Sequence, residues 1–143
     1  MLERKVPVKR IIIHCSAFEG HHDIKEITEW HHKRGFEEVG YHYVITTDGT
    51  IQTGRNMKFI GAHCKNENFD SIGICLCGLK EFSERQLVAM RVWVRKLMLE
   101  HNVKITNVFG HYEFDKNKTC PNIPTSVLRF IISRNDSPSS GLS

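Results

Sequence analysis

Three consecutive isoleucines, Ile11, Ile12 and Ile13, follow Lys9 and Arg10 and run directly into His14. A short apolar run without alternation predicts a central strand buried on both faces, and this one delivers its last side chain, His14, to the edge of a sheet. Ile24, Ile27 and Trp30 recur at helical spacing, and Gly35 supplies a C-terminal stop. The two histidines of that helix, His31 and His32, are expected near its surface. Residues 41–47 and 50–55 flank Asp48-Gly49, a pair that supplies the positive backbone angles of a tight turn, so a hairpin is predicted there. Tyr41 begins its first strand and shares a face with Tyr43, while His42 points the other way. Residues 71–77 are apolar enough for a second central strand. Ser83-Glu84-Arg85-Gln86 is a capping box opening a long helix to about His101, with Leu87, Met90, Val94, Leu97 and Met98 facing inward and Trp93 packing beside them. Residues 103–109 read as a further strand that leads through Gly110 to His111, and residues 125–134 as a last helix.

The predicted order is therefore β-α-β-β-β-α-β, then a loop and a short helix. Strands and helices alternate except at the hairpin, which predicts a single α/β domain with a mixed central β-sheet flanked by α-helices. Residues 1–134 are assigned to that domain and the serine-rich residues 135–143 to a disordered tail. A chain of 143 residues holds one well-buried core and is short for two ordinary domains. Its hydrophobic fraction of 40% and charged fraction of 25% exclude a disordered or membrane-spanning composition. The net charge of +4 favours loose attraction to polyanions, but basic and acidic residues are interspersed, without the dense block that marks a nucleic-acid arm.

Five cysteines, an odd number without a secreted mini-protein spacing, argue against a disulfide framework. Cys75 and Cys77 lie two apart on one predicted strand and read as core thiols, and Cys15 and Cys64 are likewise given structural roles. The apolar run of residues 11–13 is far shorter than a secretory signal core, so no signal peptide is expected.

The chemistry sits at the strand ends. Two strands ending in histidine, His14 and His111, with Cys120 in the loop after the second, form a dispersed candidate metal site. A metal held by three protein ligands keeps a fourth position for water, a hydrolytic nucleophile. No His-Glu-x-x-His helix and no Cys-x-x-Cys pair supports this independently. On pattern alone a second reading stays open, in which the histidines are hydrogen-bonded structural residues and the cysteine a small buried hydrophobe. Lys118 is in the same position, as a charge beside a ligand or a solvated loop lysine.

A resemblance bears on this choice. The segments Ile11-Ile-Ile-His14-Cys-Ser, Ile27-Thr-Glu-Trp30-His31, Arg34-Gly-Phe, Val39-Gly-Tyr41-His42-Tyr43, Asp48-Gly-Thr, Gly61-Ala-His63, Ser71-Ile-Gly-Ile-Cys75, Gly110-His111 and Lys118-Thr-Cys120-Pro run in order through the chain. In that order they resemble the type 2 N-acetylmuramoyl-L-alanine amidases, the superfamily that joins amidase-type phage lysozymes to the peptidoglycan recognition proteins. The resemblance implies that His14, His111 and Cys120 bind one Zn2+ ion and that Tyr41 and Lys118 assist catalysis, Tyr41 at the water or at the oxyanion. It implies hydrolysis of the amide between N-acetylmuramic acid and L-alanine of the peptidoglycan stem peptide.

His63 resembles a position lining the substrate groove and is read either as a peptide contact or as a hydrogen-bond partner of a metal ligand. Glu113 is either a similar orienting group or an exposed loop carboxylate. The loop from His111 to Cys120 lacks the insertions that some relatives carry, which leaves Cys120 in place but bears on the reach of Lys118. Two alternatives come from the same superfamily: a non-catalytic peptidoglycan-binding protein, a class that typically lacks the cysteine present here as Cys120, and a lysozyme with an added polymerase-regulating role. Nucleobase deamination is disfavoured, because its His-x-Glu with downstream Cys-x-x-Cys signature is missing. The expected protein is a monomer with peptidoglycan stem peptide and glycan as partners, no nucleic acid required and no membrane span. It is made in the cytoplasm and reaches the wall, as a phage or prophage endolysin, through a permeabilised membrane.

Overall fold

The computed structural model describes residues 1–134, so the predicted tail at 135–143 lies outside the described residues. Among the described residues five strands form one sheet: β1 (Arg10–Cys15), β2 (Tyr43–Ile45), β3 (Ile51–Thr53), β4 (Ser71–Leu76) and β5 (Val108–Gly110). Three α-helices accompany them, α1 (Ile24–Lys33), α2 (Glu84–His101) and α3 (Thr125–Ser133). The spatial order is β3-β2-β4-β1-β5, with β2 and β3 antiparallel and every other neighbouring pair parallel. This is the mixed sheet predicted from the alternation of elements. No helix among the described residues is long and apolar enough to cross a membrane.

The two faces of the sheet are covered unequally. Ile11 and Ile13 of β1, Ile72, Ile74 and Leu76 of β4 and Ile45 of β2 pack against Met90, Val94 and Leu97 of α2 and Leu128 and Ile132 of α3. Full burial of each such side chain stabilises the fold by about 1.5–3 kcal/mol, so this face is the main core. The opposite face presents Val44, Cys75 and Cys77, which pack with Ile27 of α1 and with Val39, Ile24, Trp30 and Tyr41. One short helix leaves part of that face open. The opening lies where β1 and β5 end.

Local sequence explains the helix limits. Asp23 accepts from the Lys25 amide at 2.8 Å while Glu26 accepts from the Asp23 amide at 2.8 Å, a reciprocal cap that starts α1. The helix stops at Gly35, whose φ of +90° is open to glycine at no steric cost. Ser83 and Gln86 form the predicted box on α2, with Ser83 also donating to the Thr47 carbonyl. The Gln86 side chain donates to the carbonyls of Ile45 and Cys77 at 2.9 Å each, which fastens the start of α2 to β2 and to the end of β4.

Several strands are shorter than predicted, and two of the differences change how the chain runs. The strand predicted at 103–109 begins only at Val108. Asn102, at φ +58°, ends α2, Val103 donates back to the Met98 carbonyl at 2.9 Å, and a 3-10 turn occupies Ile105–Asn107. The first half of the stretch therefore turns the chain from helix to sheet. In the hairpin, the regular ladder begins at Tyr43 rather than Tyr41. Tyr41 packs with the α1-face cluster and Tyr43 with the main core, because the segment ahead of the ladder does not keep the two-residue alternation. Arg55 still donates to the Tyr41 carbonyl at 2.8 Å, so the pairing continues irregularly.

Candidate active site

β1 and β5 are parallel neighbours with Ile13 and Gly110 in register, so the next residues stand side by side: His14, still within β1 and paired with Cys75 of β4, and His111, the first residue past β5. Their rings are 4.5 Å apart and their Nδ1 atoms 3.1 Å apart. Cys120 enters from the loop after β5, where its Sγ accepts from the Cys15 amide at 2.7 Å. One ligand atom from each of His14, His111 and Cys120 lies within 4.8 Å of the others. Sequence reasoning proposed these three residues, 106 positions apart at the extremes of numbering 14 and 120, and the fold brings them together. Two imidazole nitrogens and a thiolate form the donor set that zinc accepts, so the residues present fit the ion implied by the resemblance.

The loop that carries Cys120 is braced. Tyr112 donates its amide to the Cys120 carbonyl at 2.9 Å, and its hydroxyl accepts from the Thr125 amide at 2.8 Å. Thr125 Oγ1 donates to Glu113 at 2.5 Å, and Glu113 also accepts from the Gly110 amide at 3.2 Å. Glu113 thus ties the two ends of the loop together and does not hydrogen-bond His111 among the contacts of the described residues. Cys15 Sγ lies 3.3 Å from Cys120 Sγ. The shared hydrogen bond lowers the Cys15 thiol and raises Cys120, so the two sulfurs titrate as a pair.

His63 stands behind His14. Its Nδ1 is 2.8 Å from His14 Nε2, and its Nε2 is 3.2 Å from Ser71 Oγ. Of the two readings left open for His63, the hydrogen bond to a candidate ligand is present, and the residue also lines the groove described next. Burial, and then the neighbouring imidazoles, hold His14 well below the ordinary histidine range. Burial acts first on His63 too, followed by His42 and His111 and the positive charges of Arg4 and Arg55. Both rings are therefore neutral at pH 7.

A groove of about 470 Å³ opens over the cluster, lined among others by Arg34, Phe36, Tyr41, Lys65, Asn68 and Lys118. The Tyr41 ring is 5.1 Å from His14. Burial, then the Cys75, Cys120 and Cys15 thiols, raises its phenol well above the usual tyrosine value. Lys118 sits on an exposed turn closed by its own amide donating to the Asp115 carbonyl at 3.0 Å, with its side chain on the groove.

His31 corrects the sequence expectation. It is not on the helix surface: it is 7% exposed, faces the groove, and accepts from the Gly40 amide through Nδ1 at 2.9 Å. Burial, then Arg34, Arg55 and His32, lowers it to about 4. The signal was the spacing from Ile27 to His31, which is one helical turn along the inward stripe. His32, by contrast, is exposed as expected. Ser71 carries no signal in the sequence beyond the start of a strand.

The sequence matches the family model described as N-acetylmuramoyl-L-alanine amidase over residues 4–123. The endolysin of Klebsiella phage KP32 is 32% identical over 130 residues, spanning 82% of this chain and 83% of the phage protein. The solved structure of the N-acetylmuramoyl-L-alanine amidase LysC from Clostridium intestinale URNW superposes with a TM-score of 0.80 at 25% identity, covering 90% of this chain and 87% of its own. Wild-type Drosophila PGRP-LB superposes with a TM-score of 0.75 at 25% identity, covering 94% and 89%. The family match takes in both strand ends, the groove and the loop through Cys120, and the chain belongs to the N-acetylmuramoyl-L-alanine amidase family.

Proposed function

We propose that this amidase uses one zinc ion, held by His14, His111 and Cys120, to hydrolyse the amide between the lactyl group of N-acetylmuramic acid and L-alanine of the peptidoglycan stem peptide. The observation that carries the reading is the convergence of those three ligand atoms at the floor of an open groove. Zinc bound there supplies a Lewis acid that polarises a carbonyl and lowers the pKa of water towards about 7. The chain's own residues do the rest. The neutral imidazoles of His14 and His111 and the thiolate of Cys120 offer a total charge of −1, so a divalent ion keeps net positive charge for its work.

Lys118 is assigned to the oxygen of the scissile carbonyl. Negative charge grows on that oxygen as the carbon becomes tetrahedral, and an ammonium that meets it lowers the barrier. Tyr41 presents its phenol from beside His14, as a hydrogen-bonding partner of the attacking water or of the same oxygen. His63 lines the groove wall and is assigned a peptide contact as well as its bond to His14. The stem peptide and glycan occupy the groove, with the protein acting as a monomer and needing no nucleic acid. The biological reading is a phage or prophage endolysin, made in the cytoplasm and reaching the wall through a permeabilised membrane. The similarity to the phage KP32 endolysin supports it.

The test is release of new L-alanine amino termini from purified peptidoglycan, with and without a chelator and with zinc restored. Chelator-sensitive, zinc-restored release is expected. No release by a folded, zinc-loaded protein on walls from several bacteria would replace this reading with that of a peptidoglycan-binding protein.

A further inference from the structure

Behind the candidate ligands, a line of polar side chains runs along the sheet beside the buried ring of His42. His14 Nε2 is 2.8 Å from His63 Nδ1, His63 Nε2 is 3.2 Å from Ser71 Oγ, and Ser71 Oγ donates to the Glu67 carbonyl at 2.7 Å. The three side chains belong to residues that are 1%, 8% and 0% exposed. Space for the middle ring is built into the backbone. A Cβ on Gly73 would stand 2.5 Å from the His63 ring carbons Cγ and Cδ2, and a Cβ on Gly61 would stand 2.5 Å from His63 Cδ2. Gly73 pairs with Ile12 in the centre of the sheet, where a glycine weakens a strand. Asn68 accepts the amides of His63 and Cys64, at 3.0 Å each, and so holds the segment in place.

The last link sets the direction of the whole line. A carbonyl only accepts, and serine has one hydroxyl proton, so the proton of Ser71 goes to Glu67. The Ser71 oxygen then accepts from His63 Nε2–H. A neutral imidazole with its proton on Nε2 offers Nδ1 as an acceptor, so His14 must donate from Nε2. That leaves His14 Nδ1, the atom facing His111 Nδ1 at 3.1 Å, with a free lone pair.

We propose that His63 and Ser71 are positioning residues that set the tautomer of His14, so that Nδ1 is prepared as a ligand before any ion arrives. The proposal rests on the reading of His14, His111 and Cys120 as a zinc site. Partners of this kind change metal affinity by about 10–100-fold when removed.

The experiment is carried out on the full chain, with Ser71→Ala, His63→Phe and His63→Gln alongside the wild type. Zinc affinity is measured by competition with a chromophoric chelator, the 15N shifts of the His14 ring are recorded in the zinc-free protein, and thermal unfolding checks the fold. The wild type is expected to hold its His14 proton on Nε2. Ser71→Ala is expected to weaken zinc binding about 10-fold and to populate the other tautomer, and His63→Phe to weaken it about 10–100-fold. His63→Gln, whose amide oxygen accepts from Nε2–H, is expected to recover most of the affinity. Wild-type affinity in both Ser71→Ala and His63→Phe would overturn the proposal. So would a folded zinc-free wild type with its His14 proton on Nδ1, an outcome that decides the matter even where the variants fail to fold. Zinc retained at wild-type affinity by Cys120→Ala would instead overturn the underlying assignment of the zinc site.

Discussion

His14 and His111 are 97 positions apart, yet their Nδ1 atoms stand 3.1 Å from each other. The cause is the parallel register of β1 and β5, which aligns Ile13 with Gly110 and so sets His14, within β1, beside His111, just past β5. Cys120 reaches them through a loop braced at Tyr112, Glu113 and Thr125. A site built this way depends on all three residues at once.

Cys120→Ala is therefore expected to lose zinc and turnover together. Two histidines alone do not complete the three-ligand set of a catalytic zinc site. The loss of a Lewis acid worth several kcal/mol corresponds to a fall of about 10³-fold or more in amide hydrolysis. Metal content by mass spectrometry, set beside release of L-alanine amino termini, checks this. Full zinc content with lost activity would move Cys120 from ligand to some other role.

Lys118→Ala is expected to keep its zinc and lose turnover. A charge that acts only on the developing oxyanion is seen in kcat rather than in metal affinity, and the removal of one such donor costs about 10²–10³-fold. Steady-state kinetics on soluble muropeptide with measured zinc content separates the two. A fully active Lys118→Ala protein would end the oxyanion assignment and leave an exposed loop lysine.

The contrast between these two residues shows what was legible in the sequence. The Ile11–Ile13 run and the box at Ser83 and Gln86 each encode their structure within a few residues and appear as read, whereas Asp48-Gly49 turns the hairpin inside a longer connection at residues 46–50 in which, of the pair, Gly49 takes a positive φ, +88°. The sequence predicts His14 as the last residue of its strand, but β1 runs on to Cys15, and what brings His14 and His111 together is the parallel register of β1 and β5. His31 was misplaced because its neighbours His32 and Lys33 are polar and exposed, and only the single step from Ile27 marks it as inward. Ser71 and its bond to His63 follow from the packing of β4 against the segment at residues 61–68, a relation that no local pattern carries. Nor does the sequence foretell Arg4, which donates to the carbonyls of Met57, Phe59 and Ser71 from the start of the chain.

Acid is expected to destabilise the fold through His42. Its Nδ1 accepts from the Gly73 amide at 3.1 Å, so its proton lies on Nε2 and is donated to the Phe59 carbonyl at 3.0 Å. Burial, chiefly, lowers it from 6.5 to about 4, so the unfolded chain binds a proton there before the folded one does. Its contribution to stability is complete above about pH 6.5 and is lost as the pH falls through about 4, at a cost on the order of 3 kcal/mol. His31, lowered to about 4 as well, acts in the same direction. Urea unfolding of the wild type and of His42→Gln between pH 7.5 and 4.5 checks this. The variant should lose stability less steeply on acidification, and parallel curves would remove His42 from the account.

Gln86 provides the test of how α2 is joined to the sheet. It is fully buried, and its side chain does two jobs: Oε1 accepts from the Ser83 amide at 3.3 Å while Nε2 donates to the Ile45 and Cys77 carbonyls at 2.9 Å each. Gln86→Leu keeps the volume but leaves two buried carbonyls without that donor and removes half of the cap. At about 1–3 kcal/mol for a buried polar group left unpaired and about 1 kcal/mol for a cap, the expected loss is about 2–4 kcal/mol. Ser83→Ala separates the contributions, since it removes the hydroxyl side of the cap and the bond to Thr47 but leaves the two Gln86 carbonyl bonds in place. It should cost about 1 kcal/mol. None of these bonds involves His14, His111 or Cys120, so both variants should bind zinc normally while folded. Urea unfolding at constant zinc concentration measures the two costs. Equal losses in the two variants would mean that the cap alone matters and that the bonds from Gln86 to β2 and β4 contribute little.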